Sequence, residues 1–195
     1  QTPLSALYYA EAAERAGIPD GVVNVVPGTG SEAGDAIVGH PGVDHVAFTG
    51  STDVGKGIMS RAAENVTGVT MELGGKGPNV IFPDADLDDA AAGAHYGIFM
   101  NAGQMCWAGS RRLVHEDVHD AVVERVVERA EATTLGSGID DDGRMGPLIS
   151  ESHLEDVEAY VQAGLDEGAT LATGGSRPDD RGDGDFLQPT VLTDV

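Results

Sequence analysis

The chain reads as an α/β protein in which a parallel sheet carries helices on its faces. Three observations predict this: strand-like and helix-like runs alternate along 195 residues, glycine turns join many of them, and a 41% hydrophobic content is enough for a sizeable core.

Taken in order, Thr2-Pro3 suits an N-cap and a first helical position, and the apolar periodicity from Leu4 fades near Gly17 and Pro19, which predicts a helix. The β-branched run VVNVV at 22–26 predicts a strand. PGTGSEAGDAIVG follows as a glycine turn with Ser31 capping a short helix, and DHVAF at 44–48 is the next strand. TGSTDVGKGIMSRAAEN turns through Gly50 into a helix, after which GVTMEL is extended again. A strand at 79–82, a helix from Leu87 to Met100, the strand RRLVH, and helices from Val118 to Thr133 and from His153 to Gly164 continue the pattern, with TLAT and PTVLTDV as later strands. SRPDDRGDGD, 176–185, reads as a solvated surface loop. The Gly74-Gly75 pair is the expected hinge between two domains, since no side chain there restricts the backbone.

Charge narrows the function classes. The formal net charge is −22: 33 acidic residues stand against nine arginines and two lysines, Lys56 and Lys76. Self-repulsion on this scale is tolerable where high ionic strength screens it, so a salt-loving host is expected. Binding to nucleic acid phosphates needs clustered cations, and this composition argues against it. One cysteine permits no internal disulfide, which fits a reducing compartment. No segment has the character of a leader peptide or is apolar for long enough to cross a bilayer, so the expected location is cytoplasmic and away from membranes.

Several motifs bear on chemistry. GSTDVGK at 50–56 approaches the phosphate loop G-x-x-x-x-G-K-[ST], but Gly57 stands where the magnesium-binding hydroxyl belongs, which disfavours a P-loop NTPase. What remains is a strand, a glycine turn and a helix N-terminus; it either accepts an anion such as a pyrophosphate or is a tight turn that needs small residues. GTGSEAG, with Gly28, Gly30 and Gly34, misses the dinucleotide fingerprint by one residue of spacing. HEDVH at 115–119 matches the zinc-hydrolase pattern H-E-x-x-H, which needs both histidines on one helix face. Here His115 ends a β-like run and Asp117 suits the N-cap of the next helix, so the two rings fall on different elements and a zinc hydrolase is a minor alternative.

Two residues remain. Glu72 ends an apolar strand ahead of paired glycines, where a carboxylate is either a solvated strand end or a base in a cleft. Cys106 lies in NAGQMCWAGSRR, a Gly- and Ser-rich stretch ill suited to core filler. To be reactive it needs a lowered pKa or a nearby base; a positive helix-dipole end, Arg111 and Arg112 are the candidates to supply the charge. A cysteine with a separate glutamate suits covalent catalysis at a carbonyl. Met105 and Trp107 flank the thiol and either shape a pocket or are ordinary packing.

Taken together, FTGSTDVGK, ELGGKGPNV from Glu72, NAGQMCWAGSR around Cys106 and MGPLIS at 145–150 resemble, in letters, order and spacing, the NAD(P)-dependent aldehyde dehydrogenase superfamily. The resemblance covers essentially the whole chain. It implies residues 1–73 as the back half of a Rossmann-like dinucleotide domain and 74–195 as the front half of the α/β catalytic domain. Cys106 is implied as the nucleophile that forms a thiohemiacetal and, after hydride transfer to NAD or NADP, a thioester. Its backbone N–H is implied as half of the oxyanion hole, and Glu72 as the base that activates water. Gly50, Ser51 and Gly55 match the loop near the cofactor pyrophosphate, with Leu73 and Gly74 beside the nicotinamide. Relatives that pass the acyl group to coenzyme A usually lack this glutamate, so a free acid is the implied product from a small aldehyde, and the full-length parent is implied to be a homo-oligomer. The family's ribose-binding lysine and acidic residue and its oxyanion-hole asparagine are expected before Gln1, and its Glu-x-Phe motif and last, oligomer-forming strand after Val195. The isolated chain is therefore expected to expose unpaired sheet edges and to be inactive.

Overall fold

In the computed structural model, which describes residues 1–139, 145–180, 182 and 184–195, the strands pair two by two. β1 (His45–Gly50) runs parallel to β2 (Gly68–Leu73), β3 (Pro78–Ile81) runs parallel to β4 (Arg111–Val114), and β5 (Thr170–Thr173) pairs antiparallel with β6 (Val191–Thr193). The chain divides into two units, Gln1–Gly74 and Gly75–Val195.

In the first unit, helix α1 (Leu4–Arg15) begins after Pro3, which occupies the N-cap position without a side-chain bond, so Thr2 does not cap it. A short α2 (Asp35–Val38) precedes β1, and α3 (Thr52–Ala63) makes the crossover that a parallel pair requires. The register sets Val46 beside Val69 and Thr49 beside Glu72. Val38, Val46 and Ala62 are buried together, flanked by Val43, Ile58 and Val69, so one face of the ladder closes against α2 and α3.

Two further expectations fail in this unit. Residues 22–26 form no strand, although Val23 and Val25 are half-buried while Val22 and Val26 are exposed. The alternation of an extended chain is present, but a strand exists only by pairing, and no described segment pairs with this one. Ser31 is not a cap: it lies inside a π-type turn, Gly30–Gly34, organised by Thr29, whose carbonyl accepts the N–H groups of Glu32, Ala33 and Gly34. Gly28 is needed because a Cβ there would lie 2.7 Å from the Ala33 Cβ.

In the second unit, α4 (Leu87–Phe99) starts at Asp86, whose carboxylate accepts from the N–H groups of Asp88 and Asp89. The small residues Ala90, Ala91 and Ala94 let α5 (His119–Glu131) approach closely, and Ile81, Ala91, Ala94, Val122 and Val126 form a buried cluster with Val114 packed on it. The junction is pinned by Arg125 Nε donating to Asp88 Oδ1 at 2.8 Å. Around Met145 and Leu148 two further clusters bury Phe99, Ala130 and Leu135, and Leu154 and Leu187. α6 (Glu151–Asp166) is capped by Ser150, whose hydroxyl accepts from the His153 N–H. The 176–185 loop is less free than its composition implies: Arg177 donates two 2.7 Å bonds to Glu158 on α6. Residues 181 and 183 of that loop lie outside the described residues.

Candidate active site

The first unit gathers six of the sequence-predicted residues at the carboxyl end of the β1–β2 ladder, the end at which parallel sheets bind ligands. The strand register brings Gly50 beside Leu73, and the Gly74 N–H donates to the Gly50 carbonyl at 3.3 Å. Ser51 caps α3, its hydroxyl accepting from the Val54 N–H at 3.3 Å. The N–H groups of Thr52 and Asp53 have no partner among the described residues, so the first turn of a 12-residue helix keeps two free donors and its positive dipole end. Lys56 lies 3.7 Å from the Asp53 carboxylate and offsets that negative charge. Gly55 is buried, and a Cβ there would stand 2.6 Å from Leu73 Cδ2; glycine at this point lets the helix settle on the end of β2. Glu72 shares the exposed face of β2 with Thr70, opposite Val69, Met71 and Leu73. Its carboxylate accepts no hydrogen bond from any described residue.

Cys106 stands in the second unit, on the loop between α4 and β4. It is exposed, its thiol has no partner among the described residues, and neither has its backbone N–H. The loop is folded back by Ala108 N–H on the Met105 carbonyl (3.1 Å) and by Gly109 N–H on the Gly97 carbonyl of α4 (3.0 Å). Trp107 stacks on Tyr96 with ring centroids 6.3 Å apart and an interplanar angle of 28°. Both rings are about half exposed, so the pair is a surface stack and not core packing.

Of the expected sources of positive charge, Arg112 is engaged elsewhere: its guanidinium donates to the Ala94 carbonyl of α4, and burial draws it below its ordinary value. The next regular element along the chain after Cys106 is β4, so the Cys106 loop does not itself lead into a helix N-terminus. Arg111 lies on the other, exposed face of β4. A cleft of about 700 Å³ in the second unit, lined by Phe99, Arg112, Val126, Leu148 and Val191 among others, does not include Cys106.

The H-E-x-x-H histidines serve separate elements. His115 caps the single turn Glu116–Val118 by accepting from the Asp117 N–H, so Asp117 is not the cap, and His119 opens α5 with its Nδ1 bonded to Asp120 at 2.9 Å. Among the described residues no group of three or more His, Cys, Asp or Glu side chains could hold a metal ion, and no helix is long and apolar enough to cross a membrane.

The profile of the aldehyde dehydrogenase family matches residues 1–195. The chain belongs to the aldehyde dehydrogenase family. It is 50% identical over 196 residues to aldehyde dehydrogenase family 2 member C4 of Arabidopsis thaliana, covering all of this chain and 39% of that protein. Among solved structures, the NAD+ complex of an aldehyde dehydrogenase from Bacillus cereus superposes with a TM-score of 0.96 at 52% identity, over the whole chain and 39% of its own. Betaine aldehyde dehydrogenase from Staphylococcus aureus, also solved with NAD+, gives 0.94 at 45% identity over the same shares. The chain thus spans about two fifths of the aldehyde dehydrogenases it matches.

Sequence reasoning passed over Asn101, Gln104 and the free amides of Thr52 and Asp53. The amides are implicit in any helix start, but Gln104 becomes legible only when the segment it grips, 43 to 45 positions downstream, is seen beside it, and Asn101 only through its bonds to Gln104.

Proposed function

We propose that this chain carries the two chemical residues of an enzyme that oxidises a small aldehyde to the free carboxylic acid with NAD or NADP. Residues 1–73 act as the back half of its dinucleotide domain and 74–195 as the front half of its catalytic domain, within a longer, homo-oligomeric parent. The observation that carries this reading is Cys106: the chain's one cysteine, exposed on a polar loop, with a free thiol and an unpaired backbone N–H.

The Cys106 thiolate adds to the carbonyl carbon, and the oxygen that gains negative charge needs a donor, which the Cys106 N–H is free to be. A bound NAD or NADP would supply the acceptor for the hydride that this adduct must lose. A thioester remains on Cys106. Glu72, exposed and unpaired, takes a proton from water as the water oxygen attacks the thioester carbon and expels the thiolate. The free donors of Thr52 and Asp53 and the small residues Gly50, Ser51 and Gly55 suit a pyrophosphate, and Leu73 and Gly74 would lie beside the nicotinamide.

Substitution in the full-length enzyme tests this. Cys106→Ala should lower turnover by about a thousandfold or more, and retained NADH formation would end the proposal. Glu72→Gln should keep the first burst of NADH but lower steady turnover by about a hundredfold or more, because the thioester accumulates. The 195-residue chain alone should form little or no NADH. The acidic surface points to a high-salt host, so the melting temperature should rise with KCl; a maximum in dilute buffer would refute that part.

A further inference from the structure

Ahead of Cys106 the backbone runs left-handed for three residues in succession: Asn101 (φ 51°, ψ 34°), Ala102 (φ 54°, ψ 34°) and Gly103 (φ 75°). Glycine adopts this region freely and asparagine tolerates it, but an alanine there costs about 1–2 kcal/mol. Such a turn persists only where surrounding contacts over-determine it. Here they converge on Gln104.

The Gln104 side-chain oxygen accepts the Ile149 N–H at 2.9 Å. That donor fixes which end of the amide is oxygen and leaves the nitrogen to donate to two carbonyls, Asn101 at 3.1 Å and Pro147 at 3.4 Å. From the other side, Asn101 Nδ2 donates to the Gln104 carbonyl at 3.3 Å, and the Gln104 N–H donates to the Asn101 carbonyl at 3.1 Å. Ala102 packs between two buried clusters, one holding Met145 and the other Leu148. The far anchor is firm: Leu148 N–H donates to the Asp185 carbonyl at 2.8 Å, and Ser150 caps α6.

We infer that Gln104 is a positioning residue for the proposed reaction: it clamps the left-handed turn at 101–103 onto Pro147–Ile149 and so fixes where the loop presents the Cys106 sulfur and its free N–H. This rests on Cys106 being the nucleophile. It also gives MGPLIS, a motif without a chemical group of its own, the task of holding the nucleophile loop.

The test uses the full-length enzyme with Gln104→Leu, which removes all three side-chain bonds, and Gln104→Asn, which stays polar but is one methylene too short to reach both sides. Four quantities are measured: the burst rate of NADH, the KM for NAD, the melting temperature, and the pH profile of Cys106 alkylation by iodoacetamide. A misplaced reacting atom should slow the burst about ten- to a hundredfold in Gln104→Leu, and less in Gln104→Asn, while the KM and the alkylation midpoint hold. A burst within twofold of the parent in folded variants overturns the clamp, as does a shifted alkylation midpoint, which would mean that Gln104 acts on ionisation. A Cys106→Ala control run alongside separates the two failures: if it is inactive while the Gln104 variants match the parent, only the clamp falls, and if it turns over, the nucleophile assignment falls too.

Discussion

The turn at Gly50–Gly55 and the loop at Asn101–Gly109 each follow a regular element, and each presents small residues beside a free backbone N–H, yet different ranges of contact hold them. The first is held mainly from within: Ser51 caps the helix it precedes, the Gly55 N–H returns to the Ser51 carbonyl at 2.9 Å, and the one distant contact is with the neighbouring strand end at Leu73–Gly74. The second contains two non-glycine residues in a left-handed conformation, Asn101 and Ala102, and owes its shape to a side chain that reaches a segment more than 40 residues away. A site that binds a phosphate can use the generic geometry of a strand, turn and helix. A nucleophile that must meet a carbonyl at one angle gains from a loop that has been forced into a single shape.

If the contrast is real, the two loops should fail differently. The largest effect is expected at Gly103, where φ is 75° and a Cβ would stand 3.2 Å from the Ile98 carbonyl oxygen. Gly103→Ala should cost about 1–2 kcal/mol, read as a lower urea midpoint, and should slow the NADH burst as well. Next comes Ser51→Ala, which removes a helix cap worth about 1 kcal/mol. That variant should raise the KM for NAD and leave the rate of Cys106 alkylation as it was. Equal slowing of the NADH burst at saturating NAD by both substitutions would erase the distinction between the two loops.

The same difference in range explains what the sequence disclosed. Ser51, Gly50 and the helix after them were legible because a cap, a glycine turn and an apolar period all act within a few residues. The periodicity predicts α6 from His153, two residues inside its start, because the cap at Ser150 carries no apolar period. Residues 22–26 have strand composition and an alternating exposure, but pairing is a property of two segments and composition describes only one. The helix expected to be capped by Asp117 begins at His119 with no side-chain cap. His115 instead caps the single turn before it because its ring nitrogen reaches the N–H two residues on, an option that residue preferences rank low. Cys106 and Glu72 stood out by residue type and neighbours; Gln104 did not, since its partners are the backbone groups of a remote segment.

The smallest expected effect concerns α4, the helix that leads into the Cys106 loop. Thr133 Oγ1 donates to the Arg129 carbonyl at 2.8 Å, so its lone pair must accept from His95 Nε2–H, also at 2.8 Å, and the proton on Nε2 leaves Nδ1 bare. The ring lies 5.2 Å from Phe99, and burial, followed by the charges of Arg129 and Arg112, holds its pKa below the usual histidine value. A folded-state pKa below the unfolded one means that the unfolded chain binds the proton first, so this contribution is fully present above about pH 6.5 and declines as pH falls towards the folded value. His95→Gln, whose amide can still donate to Thr133, should remove that dependence. The urea midpoint of the parent should therefore fall relative to His95→Gln between pH 7 and 5, and parallel curves would show that α4 and α5 meet without regard to this proton.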